Sequence, residues 1–182
     1  MSDEKYVVMA VFDDATSQKL SSLRKYLYES GYTTSLSEWP PHITIAAYEN
    51  VELDALLRWT DKFSKRFQPF DISFASLGVF PPGGENIETA VLFAIPSQSK
   101  NFIDFYYMFH EELDEYCGKL GWFYSAKFGY PAIHSTIAVV DVAKIQKAME
   151  AIFVSELPCG AKIIAMEVYT YPMKLIKRFE LN

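Results

Sequence analysis

The sequence predicts an α+β fold: two similar β-α-β-α-β lobes whose antiparallel-rich sheets face each other around a central cleft. Three observations lead there. Short apolar, β-branched runs alternate with amphipathic stretches in the order β-α-β-α-β-β-α-β-α-β-β. That order is one pattern written twice, with the second copy beginning near residue 88. In each copy the second strand opens on nearly the same pentapeptide, HITIA at 42–46 and HSTIA at 134–138. No Ser/Gly-rich or charge-rich linker separates the copies, so residues 1–182 read as a single domain made of two pseudo-symmetric lobes.

Each element has its own warrant. KYVVMAVF (5–12) is short, apolar and β-branched, as a buried strand is. From Asp13 to Gly31, Leu20, Leu23 and Leu27 recur at helical spacing; Asp13 or Asp14 caps and Gly31 stops the helix. HITIAAY (42–48) is the next strand. Asn50 is placed to cap a helix to about Phe67, with Leu53, Leu56, Leu57, Thr60, Phe63 and Phe67 on one face. Strands at roughly 70–80 and 88–95 flank a hairpin turn at Pro81-Pro82-Gly83-Gly84. Ser97 opens a long helix with Phe102, Phe105, Phe109, Leu113 and Cys117 as its stripe. A loop over Gly118–Pro131 leads to the strand IHSTIAVV. Asp141 caps a helix carrying Val142, Ile145, Met149, Ile152 and Phe153. AKIIAMEVYTY and KLIKRFEL end the chain as two strands joined across Pro172-Met173.

Composition narrows the function. Half of the 182 residues are hydrophobic and 16% are aromatic, which supports a folded core. The net charge of −6 argues against a protein built to hold long nucleic acid by its phosphates, but leaves room for a small phosphorylated ligand. Cys117 and Cys159 form no CxxC, so a reducing, cytoplasmic setting is expected without a disulfide framework. No basic-then-apolar leader and no apolar run near twenty residues is present, so no membrane span is expected.

The chain has three histidines, and two of them open a predicted strand with Thr two residues on. Strict strand alternation puts His42, Thr44 and Ala46 on one face, and His134, Thr136 and Ala138 on one face of the other strand. If the lobes are related by a pseudo-two-fold axis, two imidazoles and two hydroxyls meet across the cleft. That set suits in-line displacement at phosphorus. One neutral imidazole removes a proton from the attacking oxygen and the other, as imidazolium, protonates the leaving oxygen. The hydroxyls donate to non-bridging phosphate oxygens. No metal and no cofactor is required.

With these residues the chain resembles the 2H phosphoesterase superfamily, which includes proteins named 2′-5′ RNA ligases and 2′,3′-cyclic nucleotide phosphodiesterases. Its signature is a pair of H-x-[ST]-φ tetrapeptides, here His42-Ile43-Thr44-Ile45 and His134-Ser135-Thr136-Ile137. The resemblance covers nearly the whole chain. It implies a bilobal α+β fold, His42, Thr44, His134 and Thr136 as active residues, and metal-independent cleavage or transesterification of 2′-linked or cyclic phosphates. The expected partner is a small nucleotide or an RNA end, bound by a monomer. The resemblance leaves open which histidine is acid and which base, since the roles exchange with reaction direction; for hydrolysis of a cyclic phosphate the choice taken is His134 as base and His42 as acid. The alternative is a protein that binds a nucleotide or phosphometabolite in the same cleft without turnover.

Trp39 and Tyr130 precede the two motifs in EWPPH and YPAIH and are candidates to stack a nucleobase. Lys127 and Lys174 read as solvated lysines. His110, flanked by Glu111 and Glu112, reads as a surface or boundary histidine. No H-x-H, HExxH or Cys pair suggests a metal site.

Overall fold

A computed structural model of the protein describes residues 4–33, 35–83, 87–155, 157 and 160–182. β1 (Lys5–Phe12) is buried from Tyr6 onward, as an apolar run without alternation requires. α1 (Asp14–Glu29) is capped by Asp13, whose carboxylate accepts from the Thr16 amide at 2.9 Å. It buries Leu20, Leu23 and Leu27, and Gly31, at φ 72°, turns the chain away. β2 (His42–Glu49), α2 (Leu53–Ser64), β3 (Phe70–Phe80) and β4 (Thr89–Pro96) follow. Then come α3 (Lys100–Phe109), α4 (Gly118–Gly121), β5 (Ser135–Asp141), α5 (Ile145–Val154), β6 (Gly160–Thr170) and β7 (Lys174–Glu180).

All strand pairs are antiparallel and follow the path β2-β1-β6-β3-β4-β5, with β7 also on β6. The two repeats exchange their last strands. β3 closes the first repeat in sequence, yet pairs with β4 of the second. β6 closes the second repeat, yet pairs with β1 of the first. At its start β3 also joins β6, Phe70 opposite Ile163, so the two sheets are continuous. The ends of the path, β2 and β5, return to lie beside each other.

One core runs through both halves, from Val8, Leu27 and Leu56 to Phe102, Ile137 and Ile152. At its centre the stripes of α2 and α3 interlock: Phe63 meets Phe105 and Phe109 at ring separations of 5.4 and 5.1 Å. On the other face of β1, β2 and β6 lies a smaller apolar layer containing Val7, Met9, Ala47 and Tyr169. Among the described residues, no helix is long and apolar enough to cross a membrane.

Several boundaries differ from expectation. α2 starts behind Glu52 without a side-chain cap, while Asn50 takes a positive φ of 62° in the preceding turn. α3 is capped by Ser99 and not Ser97, and it ends at Phe109, eight residues before the expected Cys117. Beyond it, Leu113 adopts φ 63° and Asp114–Tyr116 forms a single 3₁₀ turn, because His110 and Asp114 are drawn into buried hydrogen bonds that override the helical pattern. The expected loop holds α4. There Gly121 presses against β2: a Cβ at that position would sit 1.8 Å from the Ala47 carbonyl oxygen. Gly84 of the expected hairpin turn and Cys159 lie outside the described residues.

Gly121→Ala therefore forces α4 off β2, and is expected to cost about 1–3 kcal/mol as overpacked sites do; a chemical-denaturation midpoint equal to wild type refutes the tight contact.

Candidate active site

Each H-x-T strand carries a bulge at the same place. On β2, Val8 pairs with Ala46 and Met9 with Thr44, leaving Ile45 as the extra residue. On β5, Leu92 pairs with Ala138 and Phe93 with Thr136, leaving Ile137 extra. A bulge shifts the side-chain alternation by one. So Ala46 and Ala138, expected in the cleft, are buried in the core, and Ala47 and Val139 line the cleft in their place. Val139 is 45% exposed, although strict alternation puts it in the core.

His42, Thr44, His134 and Thr136 line one cavity of about 340 Å³. The backbone holds both imidazoles in the same way. His42 Nδ1 donates to the Pro40 carbonyl at 2.6 Å, and His134 Nδ1 to the Ala132 carbonyl at 2.6 Å. With Nδ1 carrying the proton, Nε2 is the nitrogen each ring has free for chemistry. Burial pushes the His42 imidazole down to about 4; the Pro40 bond opposes this, and the nearby Arg24 and His134 charges add to it. Burial also lowers His134, against the Ala132 bond. His134 packs among Phe80 and Phe93 at ring separations of 4.9 and 5.1 Å.

The two candidate stacking residues separate. Trp39 borders the cavity, 6.0 Å from the His42 ring and edge-on to Tyr169 at 5.5 Å. Tyr130 does not line it. Tyr130 is 81% exposed and meets Trp122 at 5.8 Å, because the chain beyond Tyr124 turns back on itself and leaves the cleft. Lys127 is also outside, its amine donating to the Glu111 carbonyl at 2.8 Å.

Two residues that build the site escaped the sequence reading. Arg24, on α1, is buried and lines the cavity. Its guanidinium donates to the Trp39 carbonyl at 2.7 Å and to the Thr136 carbonyl at 2.6 Å. A signal for it existed: residue 24 falls on the same helical face as Leu20, Leu23 and Leu27. Tyr124 lines the cavity beside Thr44; burial raises this phenol and the Thr44 side chain opposes the rise. Nothing in the local sequence singles it out among twelve tyrosines.

His110 corrects the expectation of a surface histidine, for it is 1% exposed. Nδ1 donates to Asp114 at 2.5 Å and Nε2 to the Ile45 carbonyl at 3.0 Å, so α3 is tied to the bulge of β2. Asp114 also accepts from Ser125 Oγ at 2.7 Å and the Lys127 amide at 3.1 Å. Burial works to raise this carboxyl, but the His110 and Ser125 bonds outweigh it and hold it below the usual range. The flanking Glu111 and Glu112 misled because charged neighbours in sequence do not fix which face a helix end turns inward.

A family model described as the 2′-5′ RNA ligase superfamily matches residues 12–172, a span that contains both motifs. The chain belongs to the 2′-5′ RNA ligase superfamily. Membership supports a phosphodiesterase type of function. No curated protein sequence matches the chain. Solved structures share the superfamily fold at low identity. TT0787 of Thermus thermophilus aligns with a TM-score of 0.59 at 12% identity, over 97% of each chain. E. coli LigT complexed with 3′-AMP aligns with a TM-score of 0.60 at 10% identity, over 100% of this chain and 99% of LigT. Kluyveromyces marxianus Usb1 with uridine monophosphate gives 0.54 at 8% identity, over 98% of this chain and 99% of Usb1.

In this superfamily member the Asp114 knot anchors the segment that delivers Tyr124. Asp114→Ala strands His110 and Ser125 in the interior. It is expected to destabilise the protein by about 3–5 kcal/mol, as breaking a buried pair does; a loss under about 1 kcal/mol in denaturant titrations contradicts the knot.

Proposed function

We propose that the protein is a metal-independent phosphodiesterase acting on a 2′,3′-cyclic phosphate or a 2′-5′ linkage of a small nucleotide or RNA end. The observation that carries this reading is the matched pair of Nδ1–carbonyl bonds on either side of one cavity, which frees two equivalent Nε2 atoms.

With a cyclic phosphate, His134 Nε2 takes a proton from water as the water oxygen bonds to phosphorus. The P–O bond to one ribose oxygen breaks, and His42 Nε2–H protonates that oxygen. The product is an acyclic phosphomonoester. With a 2′-5′ linkage, the neighbouring 3′-hydroxyl is the nucleophile and the 5′-oxygen leaves, giving a 2′,3′-cyclic phosphate. Thr44 and Thr136 donate to the non-bridging oxygens. The surroundings of the rings are unequal. His42, beside Arg24, is the ring more readily left neutral, so a proton shared by the pair rests on His134, whose aromatic box holds no such cation; this suits His42 as base and His134 as acid in cleavage of the 2′-5′ linkage, and the roles exchange for hydrolysis of the cyclic phosphate. An arriving phosphate raises both imidazoles by its opposite charge, and this populates the acid form when it is needed. Trp39, at the cavity's border, would stack a base, and the apolar floor of Val7, Met9 and Leu120 would accept the rest of a nucleoside.

Cyclic mononucleotides and 2′-5′ dinucleotides assayed with and without chelator test the proposal. Turnover is expected in both conditions. His42→Ala and His134→Ala should each lower kcat by about 10²–10⁴-fold. Wild-type turnover in the double variant rules the mechanism out.

The pH profile gives a second check. One imidazole must be protonated and the other neutral, and both free-enzyme values lie below the ordinary 6.5. kcat/KM should therefore fall as pH rises through neutrality, with its maximum on the acid side of 6.5. A maximum above about 7.5 contradicts the assignment.

A further inference from the structure

We propose that Arg24 is a positioning residue for the cleft: one buried guanidinium bridges the segment before His42 and the strand after His134, and so sets how far apart the two imidazoles stand. Its activity arm rests on the phosphodiesterase reading; the geometry does not. α1 belongs to the first repeat, yet Arg24 reaches Thr136 on β5 of the second. One terminal nitrogen donates to the Trp39 carbonyl, three residues before His42. The other donates to the Thr136 carbonyl, two residues after His134. A planar fork is suited to hold two fixed acceptors at once; an ammonium is a single point and cannot reproduce it. Lys144 on the second repeat donates to the Gly31 carbonyl at 3.0 Å, and Thr33 forms a β-bridge with Val140, so the whole end of α1 is fastened to the opposite lobe.

The charge is as informative as the geometry. Arg24 is 7% exposed, its Nε is buried without a partner, and among the described residues no carboxylate pairs with it. Burial lowers it to about 10, which leaves it cationic at neutral pH. Among the described residues, no carboxylate lines the cavity either. A buried cation held only by neutral carbonyls leaves positive potential at the cleft, and an anionic phosphate supplies the missing counter-charge. The titratable side chains that share the cavity with His42 are Arg24, His134, Tyr124 and Tyr171.

Two substitutions separate bridging from charge. Arg24→Lys keeps the charge and loses the fork; Arg24→Met keeps bulk and loses both. Three quantities are read: kcat on a 2′,3′-cyclic mononucleotide, binding of inorganic phosphate, and the NMR titration of both imidazoles. The expected kcat loss is about 100-fold in each variant, the scale of an ångström-level misplacement. Phosphate affinity should drop about tenfold in Arg24→Met and change little in Arg24→Lys. The His42 titration should move to higher pH in Arg24→Met, since a neighbouring cation has been removed, and stay low in Arg24→Lys. Wild-type kcat in Arg24→Lys overturns the positioning role, and an unmoved His42 titration in Arg24→Met overturns the field. Unfolding of both variants overturns the proposal too, because Arg24 is then a folding residue. If the wild type turns over no phosphodiester, the proposed reaction fails, and Arg24 is judged by phosphate binding and by the chemical shifts of both imidazoles, which a lost bridge displaces together.

Discussion

A buried carbonyl beside a strand bulge must find a donor, and in this protein one such carbonyl on each motif strand finds it across the molecule. A bulge interrupts the regular ladder, and an unpaired buried carbonyl is costly. At β2 the Ile45 carbonyl accepts from His110, which caps α3 of the second repeat. At β5 the Thr136 carbonyl accepts from Arg24 on α1 of the first repeat. The two ties are reciprocal: each half of the chain sends a basic side chain to the motif strand of the other half. Bulges aim the threonines and then release the chain back into the core, while the donors that satisfy them also lock the lobes. Site geometry and lobe packing are thus one problem, solved by the same hydrogen bonds.

The strand exchange points the same way. Had each repeat kept its own third strand, the lobes would meet only through side chains and would be free to hinge. With β3 and β6 exchanged, the ladder itself joins them, and the core that includes Leu56 and Phe102 is common to both. In-line displacement needs attacking and leaving oxygens held on opposite sides of one phosphorus, and small errors there are expensive. A cleft between hinged lobes would have to recover that alignment at every turnover. On the proposed mechanism, a cleft between laced lobes would have it before substrate arrives.

Element order, the repeat and the two motifs were legible because they rest on local signals: apolar periodicity, Asp13 at a cap, Gly31 at a stop, identical tetrapeptide grammar. What failed was non-local. The bulges at Ile45 and Ile137 leave no trace in a run of isoleucine and alanine, so strict alternation puts Ala46 and Ala138 in the cleft where Ala47 and Val139 stand. α3 was extended past Phe109 because Leu113 and Cys117 keep the helical spacing, while the bonds that end it come from Ile45 and Ser125, distant in sequence. Tyr130 resembled Trp39 in its place before a motif, but the segment between Gly121 and Gly129 folds tightly on itself and carries Tyr130 away. Arg24 was the one miss with a readable signal, a cation standing on an apolar helix face.

The repeats share a backbone and differ in what surrounds it, and that difference bears on the chemistry. Two identical imidazoles in identical surroundings would titrate together, and a state with one protonated and one neutral would have no preferred direction. Here the His42 ring lies against Trp39 within the field of Arg24, while the His134 ring is boxed by Phe80 and Phe93. Desolvation disfavours the cation at both, but only His42 has a cation among the causes that lower it. A fold of two similar halves can become directional through a single buried charge on one side. On the proposed mechanism, the internal repeat supplies the pair of rings, and unequal neighbours bias which ring holds the proton.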